Sequence, residues 1–98
     1  MYSLYYRRLL KTGQISIPKE VEDELNIMEG QFLSLYREGN RIVIVKQHSN
    51  STLNQCIYSY RKISLPIELR RLTGFTCGML LALNYCKNEQ KILIQAHG

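Results

Sequence analysis

Two heptapeptides decide how this chain is read: Ile15-Ser16-Ile17-Pro18-Lys19-Glu20-Val21 and, 48 residues later, Ile63-Ser64-Leu65-Pro66-Ile67-Glu68-Leu69. Laid over one another, they carry their surroundings with them. At the same offset Gly30 falls on Gly78, Phe32 on Leu80, Leu33 on Leu81 and Leu35 on Leu83. Between positions 15 and 35, seven of 21 residues are identical (Ile15, Ser16, Pro18, Glu20, Gly30, Leu33, Leu35), and most other apolar positions stay apolar. After Tyr36 the register slips by one or two, setting Ile42-Val43-Ile44-Val45 against Lys91-Ile92-Leu93-Ile94. Self-similarity at a fixed period is the mark of a repeat architecture. A duplication explains it, with residues 1–47 as one repeat, 56–98 as the other, and the Ser- and Asn-rich 48–55 as a linker.

Each repeat predicts the same elements. A short strand (residues 4–10 and 56–60) leads into a second one, which ends at Ile17 or Leu65. Pro18 and Pro66 suit the first turn of a helix, where a missing N–H costs nothing. Acidic residues follow there, Glu20 and Glu22 in one repeat and Glu68 in the other, complementing the helix dipole. Asn26 and Gly74 are the expected stops, since both tolerate a left-handed backbone. Two strands close each repeat: 31–36 and 41–46 around Glu38-Gly39-Asn40, then 79–85 and 91–95 around Lys87-Asn88-Glu89. Such a unit is too small to bury its own apolar face. Two of them packed together can, so the repeats are expected to form one compact pseudo-dimer, mainly β with short helices.

Length and composition bound the function. At 98 residues the chain holds one small domain or two very small repeats, which excludes a large enzyme. Hydrophobic residues make up 45% and charged residues 21%, as in ordinary globular proteins rather than disordered ones. The longest apolar run, Gly78-Met79-Leu80-Leu81-Ala82-Leu83, is far short of a membrane span, and the start of the chain lacks a secretory pattern. Cys56, Cys77 and Cys86 are an odd number without Cys-x-x-Cys spacing, which argues against a disulfide framework or a zinc site. A reducing cytoplasm suits that usage. No nucleophile–base pair, phosphate loop or paired carboxylates stand out, so no enzyme, cofactor or metal is expected. Thirteen Lys and Arg against eight Asp and Glu leave a net charge of +5, a lean toward a polyanionic partner.

The string Lys11-Thr12-Gly13-Gln14-Ile15-Ser16-Ile17-Pro18-Lys19-Glu20-Val21, followed by Leu25-Asn26-Ile27-Met28-Glu29-Gly30, resembles the AbrB/SpoVT/MazE-type DNA-binding domain. The second repeat is similar to its core again, in Lys62-Ile63-Ser64-Leu65-Pro66-Ile67-Glu68-Leu69-Arg70-Arg71 and then Thr73-Gly74-Phe75 and Gly78. The resemblance implies a swapped-hairpin β-barrel, made here by two homologous repeats. It also implies a bacterial or archaeal transcriptional regulator, repressor-like, or an antitoxin that represses its own operon. Leu72-Thr73 departs from the family pattern and predicts a helix whose core face is turned by about one residue. No long acidic tail follows either repeat, whereas toxin-neutralising members carry one.

In DNA-binding relatives, basic residues line the first strand, the position before the Ile-x-Ile-Pro strand, and the helix. The corresponding candidates for DNA contact are Arg7, Arg8, Lys11, Arg61, Lys62, Arg70 and Arg71. The repeats share them unevenly. Arg7 and Arg8 lie opposite Gln55 and Cys56, Gln14 opposite Lys62, and Glu22 and Asp23 opposite Arg70 and Arg71. Residues 1–49 hold seven cations and six carboxylates, and residues 50–98 hold six and two, so the second repeat carries most of the excess. An asymmetric footprint on DNA is expected. The bland alternatives are a solvated helix face for Arg70 and Arg71, and a charge-guarded edge strand for Arg7 and Arg8. Adjacent strand residues face opposite ways, so only one of Arg7 and Arg8 is expected to reach DNA.

The expected partner is double-stranded DNA, with homodimerisation, or pairing with another AbrB-type protein or a toxin, as further expectations and no membrane role. A protein-binding regulator is the alternative function, motivated by Glu22 and Asp23, which repel phosphate. Among the remaining residues, Cys77 and Cys86 read as small buried hydrophobes, and Cys56 as an exposed, oxidisable thiol. His48 and His97 are too isolated to form a site. The seven tyrosines read as strand packing, or for Tyr2, Tyr5 and Tyr6 as a subunit contact.

Overall fold

A computed structural model describes residues 4–46 and 54–97 of the chain. Ten elements follow one another as two sets of five in the same order. The first set is β1 (Tyr5–Arg8), β2 (Gln14–Ser16), α1 (Lys19–Leu25), β3 (Phe32–Glu38) and β4 (Arg41–Val45). The second is β5 (Asn54–Ile57), β6 (Lys62–Ser64), α2 (Ile67–Thr73), β7 (Leu80–Cys86) and β8 (Lys91–Ala96). β5 thus begins at Asn54, inside the stretch read as linker, and the rest of that stretch lies outside the described residues.

The pairing is exchanged between the sets. β1 adds to β7 and β5 adds to β3, so each hairpin is completed by a strand from the other repeat. The resulting sheet runs β1-β7-β8-β4-β3-β5, and β2 pairs with β6 in a second, two-stranded sheet. Both sheets are antiparallel. A pseudo-dyad passes through the central pairs Ile15↔Ile63 and Val43↔Leu93. One cluster holds the buried side chains of both repeats, among them Ile15, Leu33, Leu35 and Ile44 from the first and Ile63, Leu81, Leu83 and Ile94 from the second. The architecture is a swapped-hairpin pseudo-dimer within one chain, mainly β with two short helices.

Turn lengths correct the repeat alignment twice. β3 and β4 join through Gly39-Asn40, a two-residue loop between the paired Glu38 and Arg41. β7 and β8 join through residues 87–90, between the paired Cys86 and Lys91. The two extra residues move the offset to 50, so Ile42 corresponds to Ile92 rather than Lys91. That one-residue correction decides which side chains point inward, because strand faces alternate. In the first pair of strands, Leu9 donates its N–H to the carbonyl of Met79 as Tyr58 does to that of Gln31. Arg7 and Arg8 therefore correspond to Cys56 and Ile57, not to Gln55 and Cys56. The next turn, Tyr60-Arg61, is one residue shorter than Lys11-Thr12-Gly13, and this restores the offset of 48.

The helices run one residue later than their prolines. Pro18 and Pro66 are the N-cap residues, and their carbonyls accept the first helical hydrogen bonds. Both stops form as expected, with Asn26 at φ 53° and Gly74 at φ 79°. α2 is not turned relative to α1. Leu69 is buried as Val21 is, and Thr73 takes the place of Leu25. The Thr73 hydroxyl donates to the Leu69 carbonyl at 2.8 Å, within its own helix, which satisfies it at that half-buried position. Leu72 is left 60% exposed.

Candidate nucleic-acid interface

The two ends of the β2·β6 ladder position the candidate residues. Ile15 and Ile63 point into the core at 0% exposure. Gln14, Ser16, Lys62 and Ser64 alternate with them and so face outward. Each ladder end is extended by a backbone bond that brings a turn of one repeat to the helix of the other. At one end Leu65 N–H donates to the Gly13 carbonyl at 2.9 Å, just before α2. At the other, Ile17 N–H donates to the Arg61 carbonyl at 2.7 Å, just before α1.

The Gly13 end gathers cations. Arg70 leaves α2, donates from Nε to the Leu65 carbonyl at 2.8 Å, and lays its guanidinium on Gly13. Gly13 is buried at φ +82°, and a Cβ there would lie 2.9 Å from Arg70 Nη2, so only glycine both takes that backbone and seats the arginine. Arg8 donates to the Gly78 carbonyl at 2.9 Å, and the Cys77 thiol lies 3.7 Å from the Lys11 carbonyl. The loop after α2 thus holds the first repeat's basic strand and turn beside the second repeat's Arg70. Arg71 is exposed on the same helix. Arg8 is exposed and Arg7 half-buried, donating to the Tyr6 carbonyl, as alternation requires. The segments forming this end, residues 4–14 and 66–79, carry five cations and one carboxylate.

The Arg61 end is its opposite. Residues 18–31 and 54–62 carry three cations and five carboxylates. Glu22 accepts the Tyr58 hydroxyl at 2.9 Å, and burial together with that hydrogen bond pushes the phenol well above its usual range. Glu29 accepts from the Ser59 hydroxyl at 2.8 Å and from the Tyr60 N–H at 3.0 Å. Lys19 bridges to Glu22 and Asp23, which raise its pKa. Tyr60 and Arg61 both adopt left-handed backbone, at φ 52° and 56°. Of the seven candidates, the fold brings Arg8, Lys11, Arg70 and Arg71 together, with Arg7 behind them. Lys62 sits on the ladder opposite Ser16, and Arg61 lies in the turn at the carboxylate-rich end.

Sequence reasoning missed Gly13 as the seat of Arg70 and the 76–78 loop as the clamp on Arg8 and Lys11. The signal for Gly13 was present, since Gly13 aligns with Arg61 at the ladder offset and a glycine there marks a positive φ. Two of the three cysteine readings reverse. Cys77 is exposed, whereas Cys56 is half-buried against the core and burial pushes its thiol up to about 11. Cys86 is half-buried too. His97 packs edge-on against Tyr6, with ring centroids 4.7 Å apart. His48 and Tyr2 lie outside the described residues. Among the described residues no three His, Cys, Asp or Glu side chains are placed to hold a metal ion, and no helix is long and apolar enough to cross a membrane.

Exchanged hairpins around a two-stranded ladder are the AbrB/MazE-like swapped-hairpin fold, here with charge concentrated where turn meets helix. Comparison with known proteins places it further. Residues 7–52 match the family model described as "Antidote-toxin recognition MazE, bacterial antitoxin". The solution structure of PHS018 from Pyrococcus horikoshii superposes with a TM-score of 0.56 at 16% identity, over 97% of this chain and 90% of that one. At that identity the likeness concerns the fold alone. No curated protein matches the sequence.

Proposed function

We propose that the protein is a non-enzymatic, DNA-binding transcriptional regulator of the AbrB type that engages double-stranded DNA through the Gly13 end. One observation carries this reading: strand exchange gathers Arg8 and Lys11 from one repeat with Arg70 and Arg71 from the other, five cations against one carboxylate in the segments concerned. Lys62 lies at the other end of the ladder, paired with Ser16, and is outside that gathering. Arg61 is the weakest of the seven candidates, because the segments at its end carry more carboxylates than cations. Each molecule then grips DNA mainly from one end, which gives an asymmetric footprint.

Binding of a promoter fragment across a salt series tests this. Four or five phosphate contacts give a log–log slope of about −4. Lys11→Ala/Arg71→Ala is the cleaner double variant, because Arg70 also supports the Gly13 turn. It should lower the slope magnitude by about 2. Binding without salt dependence, or a slope unchanged in the double variant, would sink the reading.

The antitoxin family model and the acidic Arg61 end favour a second reading, a regulator that binds a toxin or another swapped-hairpin protein. A small toxin encoded next to this chain and co-purifying with it would decide for that partner.

A further inference from the structure

The pseudo-dyad lets the two ends be compared residue by residue. Where the basic end has Arg8 paired with Leu80, the other end has Ile57 paired with Phe32. Arg8 has become Ile57, and the half-buried Leu80 has become a phenylalanine 60% exposed. Thr76 corresponds to Met28, 72% exposed, and Ile57 itself is 52% exposed. Tyr60, at the tip of the neighbouring turn, is 85% exposed. The chain holds these side chains in one place. Gly30 N–H donates to the Tyr58 carbonyl at 2.7 Å, and Glu29 ties the 28–31 turn to Ser59 and Tyr60. Contiguous large apolar side chains on a small protein mark an interaction surface.

Edge chemistry differs in the same sense. β1 and β5 are the two edge strands of the larger sheet. β1 carries Arg7 and Arg8, charges of the kind that block edge-to-edge contact, whereas β5 (Asn54–Ile57) carries none. Left-handed backbone at Tyr60 and Arg61, in a turn that Asn-Gly would make without strain, keeps two bulky side chains projecting beside the patch.

We infer that the Met28–Phe32–Ile57–Tyr60 surface docks against the same surface of a second copy of this chain, related by a two-fold axis. Charge selects that occupant. The rim of the patch carries both signs, Glu29 and Arg61, each exposed. A two-fold contact sets the Arg61 of each copy against the Glu29 of the other, and an isologous interface must be self-complementary in this way. A strongly basic or strongly acidic partner meets a like charge at one of the two. The basic ends lie across the pseudo-dyad from this contact and stay free, so the inference goes beyond the DNA reading and does not depend on it.

Sedimentation equilibrium of the full chain without DNA tests the contact. The wild type should populate a dimer. Phe32→Glu/Ile57→Lys replaces an exposed cross-strand pair by an oppositely charged one, so the strands stay paired while dimerisation weakens by about tenfold or more. Circular dichroism and thermal melting check that this variant is folded. Arg61→Glu should dissociate the dimer, and Arg61→Lys, which keeps the positive charge and leaves the Glu29 tether intact, should retain it. Lys11→Ala/Arg71→Ala should lose DNA and still dimerise, which separates this inference from the DNA reading. A wild type monomeric at concentrations on the order of 1 mM overturns the proposal, since such a contact is weaker than about −4 kcal/mol. So does a dimer that survives both the patch variant and Arg61→Glu.

Discussion

At the residue scale, Gly13 and Arg61 are instructive because they are pseudo-equivalent and solve one problem differently. Both hold a positive φ and both lend a carbonyl to the start of a helix. Only Gly13 also lies under an arginine. Gly13→Ala is therefore expected to destabilise the fold by about 1–2 kcal/mol from the left-handed backbone. It also displaces the Arg70 guanidinium, and a thermal melt read beside the DNA salt slope shows both effects. Cys56 supplies a pH prediction. Its folded pKa, about 11, lies above that of an ordinary thiol, and burial is the main cause. Its contribution is intact below about pH 8.5, where the unfolded thiol is also protonated. As pH rises toward 11 the unfolded state ionises first and stability falls. Urea midpoints followed from about pH 8 to about pH 11 should decline, and Cys56→Ala should flatten that decline.

At the element scale, the helices show how tertiary packing overrides local pattern. The Leu72-Thr73 order suggested a rotated α2, yet Leu69 and Thr73 hold the faces of Val21 and Leu25 while Leu72 stays in solvent. Proline before the helix, left-handed residue after it, and strands on either side fix a seven-residue helix more firmly than one apolar side chain can. Leu72→Gln should shift stability by no more than about 0.5 kcal/mol. Leu25→Ala, which empties a fully buried site, should lose about 2–5 kcal/mol in urea denaturation. The strands were legible for the opposite reason. Short runs of mostly apolar residues in Phe32–Glu38 and in Leu80–Cys86, each with three successive buried residues and bounded by turn residues, mark strands covered on both faces at their centres, and the repeat doubles the evidence. Which hairpin each first strand would join was not legible, because β1 matches β3 and β7 equally well in sequence pattern.

At the scale of the whole molecule, neither repeat owns a complete sheet. Among the described residues β1 pairs with β7 alone, β5 pairs with β3 in the other repeat, and β2 pairs with β6. Residues 1–49 and residues 50–98, produced separately, are expected to be unfolded or self-paired. Mixing them should restore the far-ultraviolet circular dichroism and cooperative melting of the intact chain. A separate repeat that melts cooperatively as a monomer would contradict the exchanged topology. Exchange also redistributes charge. Counted along the chain, the +5 looked like a surplus of the second repeat. Counted in space, a basic end mixes both repeats, and the acidic, apolar end mixes them too.

The sequence by itself determined the repeated unit, its mainly β content, the two short helices with their left-handed stops, and the family resemblance. These follow from local pattern: short apolar runs, proline, glycine and asparagine act within a few residues of themselves. Only the tertiary structure decided that the strand and turn of Arg8 and Lys11 stand with Arg70, that Cys77 is exposed while Cys56 is half-buried, and that Arg61 falls at the carboxylate-rich end. Those outcomes depend on which strand of one repeat pairs with which hairpin of the other. That choice is made by the shared core, where both repeats must close a single set of buried side chains at once.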